Sequence, residues 1–180
     1  VEELQNKRDD LEIKKSHLAD RIKALENFSD IEEVTAAEII TKHLINLLHN
    51  DLPRQEEFVN AANVSWNFSS NKVSVNGQHQ FSESSMVILK QCFHAALLAA
   101  SCDLKSFRYP RFLLLDGIDD GGQELSRSHN LQKSLITLSQ SLEASHQIIF
   151  ATSQISPEFD NPVYVVGKKS SKESKTLSIK

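Results

Sequence analysis

Residues 112–116 read Phe-Leu-Leu-Leu-Asp, an unbroken apolar run of strand length that ends on a carboxylate. Runs of this kind are typical of strands covered on both faces in a parallel sheet. Parallel strands need crossover connections, so helices are required before and after the run. Upstream, Ser82 is a good N-cap for a helix reaching about Ser101. That helix is apolar almost all round, through Met86, Val87, Ile88, Leu89, Phe93 and Ala95 to Ala100, as a buried helix must be. Downstream, a helix from about Gln123 to Ala144 carries Leu131, Leu135, Leu138 and Leu142 on one face. Residues 147–152 then form the next expected strand and 163–166 another. A Lys/Ser-rich turn at 167–175 precedes a last short strand, Leu177 to Ile179. The expected class is α/β, a mainly parallel sheet with flanking helices.

The front of the chain follows a different period. Leu4, Leu11, Leu18 and Leu25 recur every seven residues, with Val1, Arg8, Lys15 and Ile22 as the companion column three residues earlier. Apolar residues on that seam and charges elsewhere read as a coiled-coil segment over 1–27, weakened but held in register by the polar members. A lone amphipathic surface helix satisfies the same pattern. Ser29 with Glu32 has capping-box spacing and predicts a fresh helix through Ile31, Val34, Ile40, Leu44, Leu47 and Leu48, ending before Pro53. A short helix through Phe58 comes next. Alternation at Val64, Trp66 and Phe68, then at Val73 and Val75, with Ser69-Ser70-Asn71 between and Asn76-Gly77 after, predicts a small antiparallel β meander. The division is therefore a coiled-coil stub, 1–27, followed by one domain, 28–180. A start at Val1, inside a charged helical repeat, reads as a piece of a longer protein.

Composition excludes several classes. A net charge of −4 supplies no global basic field, so nucleic-acid contact would need a local patch such as Lys105, Arg108 and Arg111, or Lys168, Lys169 and Lys172. Two cysteines, Cys92 and Cys102, make neither a disulfide framework nor a CxxC zinc half-site, which favours a reducing cytoplasm. Seven histidines lie scattered, without HExxH spacing. No run of about 18 purely apolar residues and no signal peptide stands out, so no membrane association is expected.

An apolar strand ending in Asp places Asp116 at the C-terminal edge of a parallel sheet, where open α/β sheets bind ligands. Mg²⁺ takes one or two carboxylates and keeps waters, which suits such an Asp; a helix-capping role suits it equally. Asp119 and Asp120 follow, just ahead of Gly121-Gly122, as either site carboxylates or turn formers. Ser82, Ser84 and Ser85 open a buried helix whose free N–H groups favour anions, and ordinary N-capping explains the same serines. Thr152 and Ser153 end the second strand with hydroxyls able to bond phosphate or water. Arg127 and His129 read as a helix surface that can reach a shared ligand.

Taken in order, these elements over residues 60–166 resemble the C-terminal lobe of an ABC-type ATPase head of the SMC and DNA-repair family. In that family a coiled coil returns to the head and is followed by a signature helix, a Walker B strand, a helix and a switch strand. The resemblance implies ATP and Mg²⁺ as cofactors. It makes Ser82 the signature serine, with Ser84 and Ser85 sharing the anion contact, and Asp116 the magnesium aspartate; Thr152 and Ser153 occupy the switch. Departures are explicit: Glu83-Ser84 replaces Gly-Gly, Gly117 replaces the catalytic Glu, and Ser153 replaces the switch histidine. Asp119 or Asp120 then stands in as the residue that activates water. No Gly-x-x-x-x-Gly-Lys-[Ser/Thr] loop is present, so an N-terminal lobe carrying Walker A would complete the site. The implied partners are that lobe, a second head (a homodimer), DNA and accessory protein subunits. Genome maintenance, repair or defence against foreign DNA would be the process, in the cytoplasm or at a nucleoid. A hydrolysis-deficient nucleotide clamp or a coiled-coil scaffold is the competing reading. Ser128, His129 and Asp116 lack the Gly-x-Ser-x-Gly elbow of a hydrolase. A response-regulator-like fold would not explain the coiled coil or the meander.

Overall fold

The computed structural model describes residues 2–167. Its first element is a single helix, α1 (Glu2–His49), 48 residues long. The sequence expectation of a new helix at Ser29 is not met. Neither Gly nor Pro occurs between residues 2 and 49, so nothing in that stretch removes a backbone donor or favours a break. The helix runs through the 27/28 boundary without interruption. Its C-terminal half buries Ala36, Ile40, Leu44, Leu47 and Leu48.

After the short helix α2 (Glu56–Val59), the strands β1 (Val64–Asn67) and β2 (Lys72–Val75) pair antiparallel, Val64 opposite Val75 and Asn67 opposite Lys72. Asn71 and Asn76 take positive φ (51° and 50°), the left-handed conformation that Asn tolerates in tight turns. The Asn76 side chain then ties the hairpin down, accepting from the N–H groups of Ala62 and Asn63 and donating to the carbonyl of Asn60.

Helix α3 (Glu83–Asp103) is the centre of the core. Ser82 caps it by accepting from the Ser85 N–H at 3.3 Å. Ile88, Leu89, Cys92 and an unbroken stretch from Ala95 to Ala100 are buried, with α1 as the main packing partner. α3 has the length and mean hydropathy (1.4) of a membrane-crossing helix, although polar residues interrupt its apolar runs. It is nonetheless 67% buried within that window, as a core helix is.

Strands β3 (Phe112–Leu115) and β4 (Gln147–Phe150) are parallel and joined through α4 (Leu125–Ser141), with Phe112 opposite Gln147 and Leu115 opposite Phe150. This β–α–β unit is the part of the sequence expectation that forms. The larger expectation, an α/β fold with a mainly parallel sheet of the ABC-ATPase-lobe kind, is overturned. The described residues hold two separate sheets of two strands each, one of them antiparallel, within a largely helical body. Residues 163–166 do not become a strand, because Asn161 winds them into a turn. Its side-chain oxygen accepts from Val163 N–H and its carbonyl from Tyr164 and Val165 N–H, leaving Val163 and Val166 in solvent. The strand expected at Leu177 to Ile179 lies outside the described residues. Among the described residues β4 is the only strand beside β3, which is covered on one face: Leu113 and Leu115 are buried, while Phe112 and Leu114 are 49% and 62% exposed.

Three helix ends meet at one buried ion pair. Arg127, in the first turn of α4, donates from Nη2 to Asp51 Oδ2 at 2.5 Å and from Nε to both carboxylate oxygens. The remaining Nη1 donates to Ser85 Oγ at 3.2 Å, in the first turn of α3. Removing one partner strands a charge in the interior, at a cost of about 3–5 kcal/mol. Arg127→Ala is therefore expected to lower unfolding stability in urea by about that much. Arg127→Met combined with Asp51→Leu should recover most of the loss, since apolar side chains of similar volume leave no charge stranded.

Candidate functional site

The loop between β3 and α4, residues 116–124, is where the predicted carboxylates gather, and three features fix it. Ile118 is fully buried and anchors the loop to the core, although the sequence reading gave it no role. Gly121 has φ +71°, and a Cβ there would lie 3.1 Å from the backbone of Glu83 and from Val87, so the loop lies directly on the first turn of α3. Gly117 has φ +63°, and the space that its Cβ would occupy is filled by the carboxylate of Asp120. The Asp120 N–H closes that turn onto the Gly117 carbonyl at 3.0 Å.

Asp116, at the end of β3, and Asp120 are both exposed. Asp119 turns instead toward the end of β4. It accepts from the Ser153 N–H at 2.8 Å, from Ser153 Oγ at 2.5 Å and from Thr152 Oγ1 at 3.3 Å. Partial burial raises the Asp119 carboxyl, but the Ser153 hydroxyl and amide, the residue's own N–H and the Thr152 hydroxyl more than offset it. The net result lies below the ordinary carboxyl value of 3.8. Three of the predicted residues, Asp119, Thr152 and Ser153, thus form one cluster, while Asp116 and Asp120 are exposed elsewhere on the same loop.

The serines divide. Ser82 and Ser84 are at the surface of the α3 N-terminus, with their hydroxyls 3.3 Å apart. Ser85 is 1% exposed and points inward to Arg127, so it supports the turn from behind. Because Gly121 rests against Glu83, this turn and the carboxylate loop are neighbours. Arg127 is not the surface cation that the sequence suggested, since Asp51 and Ser85 hold its guanidinium in the interior.

Gln132 is a residue that sequence reasoning missed. Fully buried on α4, it donates to the Gln154 carbonyl at 3.0 Å and to Thr152 Oγ1 at 3.5 Å, and accepts from Ser156 N–H at 2.8 Å. It thereby clamps the segment that presents Thr152 and Ser153. A polar residue beside Leu131 on the apolar stripe was the available signal. Gln123, just past Gly122, has both amide atoms buried without a protein partner.

Among the described residues no group of three or more His, Cys, Asp or Glu is placed to hold a metal. The donors present fit Mg²⁺, which takes one or two carboxylates and fills its octahedron with water and phosphate oxygens. The Cys92 thiol is buried, and that burial pushes it far above its usual range, removing it as a nucleophile. An apolar groove of about 610 Å³ lies between α1 and β1 around Ile40, Val64, Trp66 and Phe107 and contains none of these site residues.

Two outcomes test the geometry. A carboxyl held below its unfolded value adds stability that is complete above pH about 4 and is lost as pH falls through the lower folded value. The difference in thermal stability between wild type and Asp119→Asn is therefore expected to be constant from pH 7 to 5 and to shrink below pH 4. Gly121→Ala forces a left-handed conformation and a tight contact, and should cost about 1–2 kcal/mol in urea unfolding.

No protein-family model matches this chain, and no curated protein is detectably similar to it.

Proposed function

We propose that this chain supplies one half of a composite Mg²⁺–nucleotide site in an SMC-like, coiled-coil ATPase. A segment bearing a Walker A loop and a second copy of the head would complete it around ATP. The observation that carries the reading is the joining of Asp119 to Thr152 and Ser153 at the C-terminal end of the β3–β4 pair, where Asp116 directly follows β3 and Asp120 folds back over Gly117. The capped N-terminus of α3 is packed against the same loop.

Within the proposal each residue has one task. Asp116 is the exposed carboxylate that would hold the metal's waters; the ion, when bound, neutralises charge on the phosphates. Ser82 presents a hydroxyl and a helix N-terminus to a phosphate. Asp120 takes the role that Gly117 leaves open, because its carboxylate fills the space a side chain at 117 would enter. From there Asp120 can accept a proton from an attacking water. Asp119 is committed to Ser153 and Thr152 and positions the end of β4.

DNA as the substrate of the assembled machine rests on the family resemblance. Lys105, Arg108 and Arg111 are exposed, and Arg111 also donates from Nε to the Ser101 carbonyl. One observation favours the second reading, a clamp that binds nucleotide without turnover: Ser153, in the switch position, is bonded to Asp119 and carries no charge.

Light scattering of the full-length protein with and without ATP–Mg²⁺, alongside phosphate release, tests the reading. Wild type is expected to dimerise on ATP, and Asp116→Ala and Ser82→Arg to lose dimerisation. Asp120→Asn should keep dimerisation while hydrolysis falls by about 10²–10⁴-fold, the usual share of a general base. Dimerisation without any turnover in wild type would select the clamp. The absence of both nucleotide binding and a mass change would sink the nucleotide reading.

A further inference from the structure

Among the described residues, strand β1 has one edge without a partner strand. The Asn76 N–H donates to the Asn63 carbonyl at 2.8 Å, and Val64 stands opposite Val75, so Asn63 and Asn76 are a bonded pair of the ladder. Bonded and non-bonded pairs alternate along an antiparallel ladder, which makes Ser65–Ser74 and Asn67–Lys72 the next bonded pairs. Val64 and Trp66 fall between them and aim their N–H and C=O groups away from β2. Val75 does the same on its own side, where its N–H goes to the Gln78 carbonyl at 2.8 Å. No backbone hydrogen bond from beyond the hairpin reaches Val64 or Trp66 among the described residues.

The apolar groove of about 610 Å³ follows this edge. Ser65 lines it together with Val64 and Trp66, and successive side chains of a strand point to opposite faces. A groove that touches all three runs along the edge and not over one face. Its opposite wall is α1 from Glu32 to Thr41. That stretch rises about 14 Å, against about 13 Å for the four residues of β1, so the two walls match in length. Charge is confined to one end. His49 Nε2 donates to the Ala61 carbonyl at 2.8 Å, which sets the start of β1 beside the C-terminal end of α1. Glu32 and Glu33, several turns back along the helix, therefore lie toward the Phe68 end. The lining contains no lysine or arginine; Lys105, exposed next to Leu104, is not part of it.

We propose that this edge takes up an extended segment of a partner protein, apolar at alternate positions and carrying Lys or Arg where it passes Glu32 and Glu33. The proposal is independent of the nucleotide reading. Strand addition supplies the backbone partners that Val64 and Trp66 lack, and the alternate side chains of the incoming segment enter the apolar groove. A helix or a lipophilic cation would fill the groove but would leave the edge groups unpaired. A second copy offering its own β1 brings no counter-charge, since residues 63–70 contain no lysine or arginine to meet Glu32 and Glu33.

Trp66 lines the groove and is the chain's only tryptophan, so its fluorescence reports occupancy directly. The probe is the peptide Lys-Lys-Val-Thr-Val-Thr-Val, titrated into the 180-residue chain at low salt. It is expected to shift the Trp66 emission and to bind at least about tenfold more tightly than the same peptide with Glu-Glu in front, the advantage shrinking as salt rises. A copy N-methylated at alternate amides keeps the side chains but loses the edge bonds, and should bind at least about tenfold more weakly. The variant E32K/E33K should reverse the charge preference, and Ala37→Trp, which fills the groove from α1, should abolish binding, each with the melting temperature unchanged. No binding of the first peptide, or equal binding of its N-methylated copy, overturns the proposal. So does a dimer of the chain that Ala37→Trp dissolves, which would make the occupant a second copy. A tenfold gain in peptide affinity on removal of the Lys-rich residues 168–180 overturns it too, because the chain's own end would then be the occupant.

Discussion

Asp51 and Arg127 stand 76 residues apart and meet with only 4% and 3% of their side chains exposed. A charge that deep in the protein is tolerated only when nearly every donor and acceptor around it is used. Here the guanidinium spends Nε and Nη2 on Asp51 and Nη1 on Ser85. The exit of α1, the first turn of α3 and the first turn of α4 therefore cannot shift independently. Nearby contacts reinforce the joint, from Asn130 to the Asn50 carbonyl and from Arg54 to Glu124. Because α4 begins where the carboxylate loop ends, the same pair fixes one end of residues 116–124. The packing of Gly121 on α3 fixes their middle.

How much of this was legible depended on whether a feature was local. The Ser82 cap, the buried α3, the hairpin with Asn76-Gly77 and the strand at 112–115 each follow from residues within a few positions, and all are present. Features set by distant partners were not legible. Arg127 reads as a surface cation until Asp51 is known to face it. Ile118 and Gln132 look like loop and helix-surface residues until the packing of α4 is known. Two failures have a local cause of another kind. Val163–Val166 has strand composition, but a single Asn ahead of it offers the backbone a turn instead. Ser29 and Glu32 have capping-box spacing, but a cap signal does not end a helix that nothing else breaks.

The apolar run Phe112–Leu115 shows where pattern reading overreached. Continuous apolarity matches a strand covered on both faces, and the inference to a large parallel sheet followed from it. In the structure the run alternates: Leu113 and Leu115 lie in the core, while Phe112 and Leu114 face outward beside Ile149 of β4. Composition recorded the tolerance of both faces for apolar groups but not the number of strands available to use it. That number depends on the rest of the chain, and among the described residues β4 is the only partner.

The same distinction between position in sequence and position in space governs the candidate site. A motif aligned residue by residue finds glycine where a catalytic carboxylate would follow Asp116 and concludes that the group is missing. The backbone at Gly117 is left-handed, a conformation in which a Glu side chain would be strained, and that turn brings Asp120 back over the glycine. The carboxylate that fills the side-chain space at position 117 therefore comes from Asp120, three residues beyond that glycine. Glycine at 117 and aspartate at 120 are one solution rather than two coincidences, since a side chain at 117 and the Asp120 carboxylate would compete for the same volume. Asp119, between them, is turned away by the bonds that its Oδ2 accepts from Ser153 and Thr152. Two adjacent carboxylates of the same type thus take separate positions, Asp120 exposed over Gly117 and Asp119 bonded to the residues that follow β4.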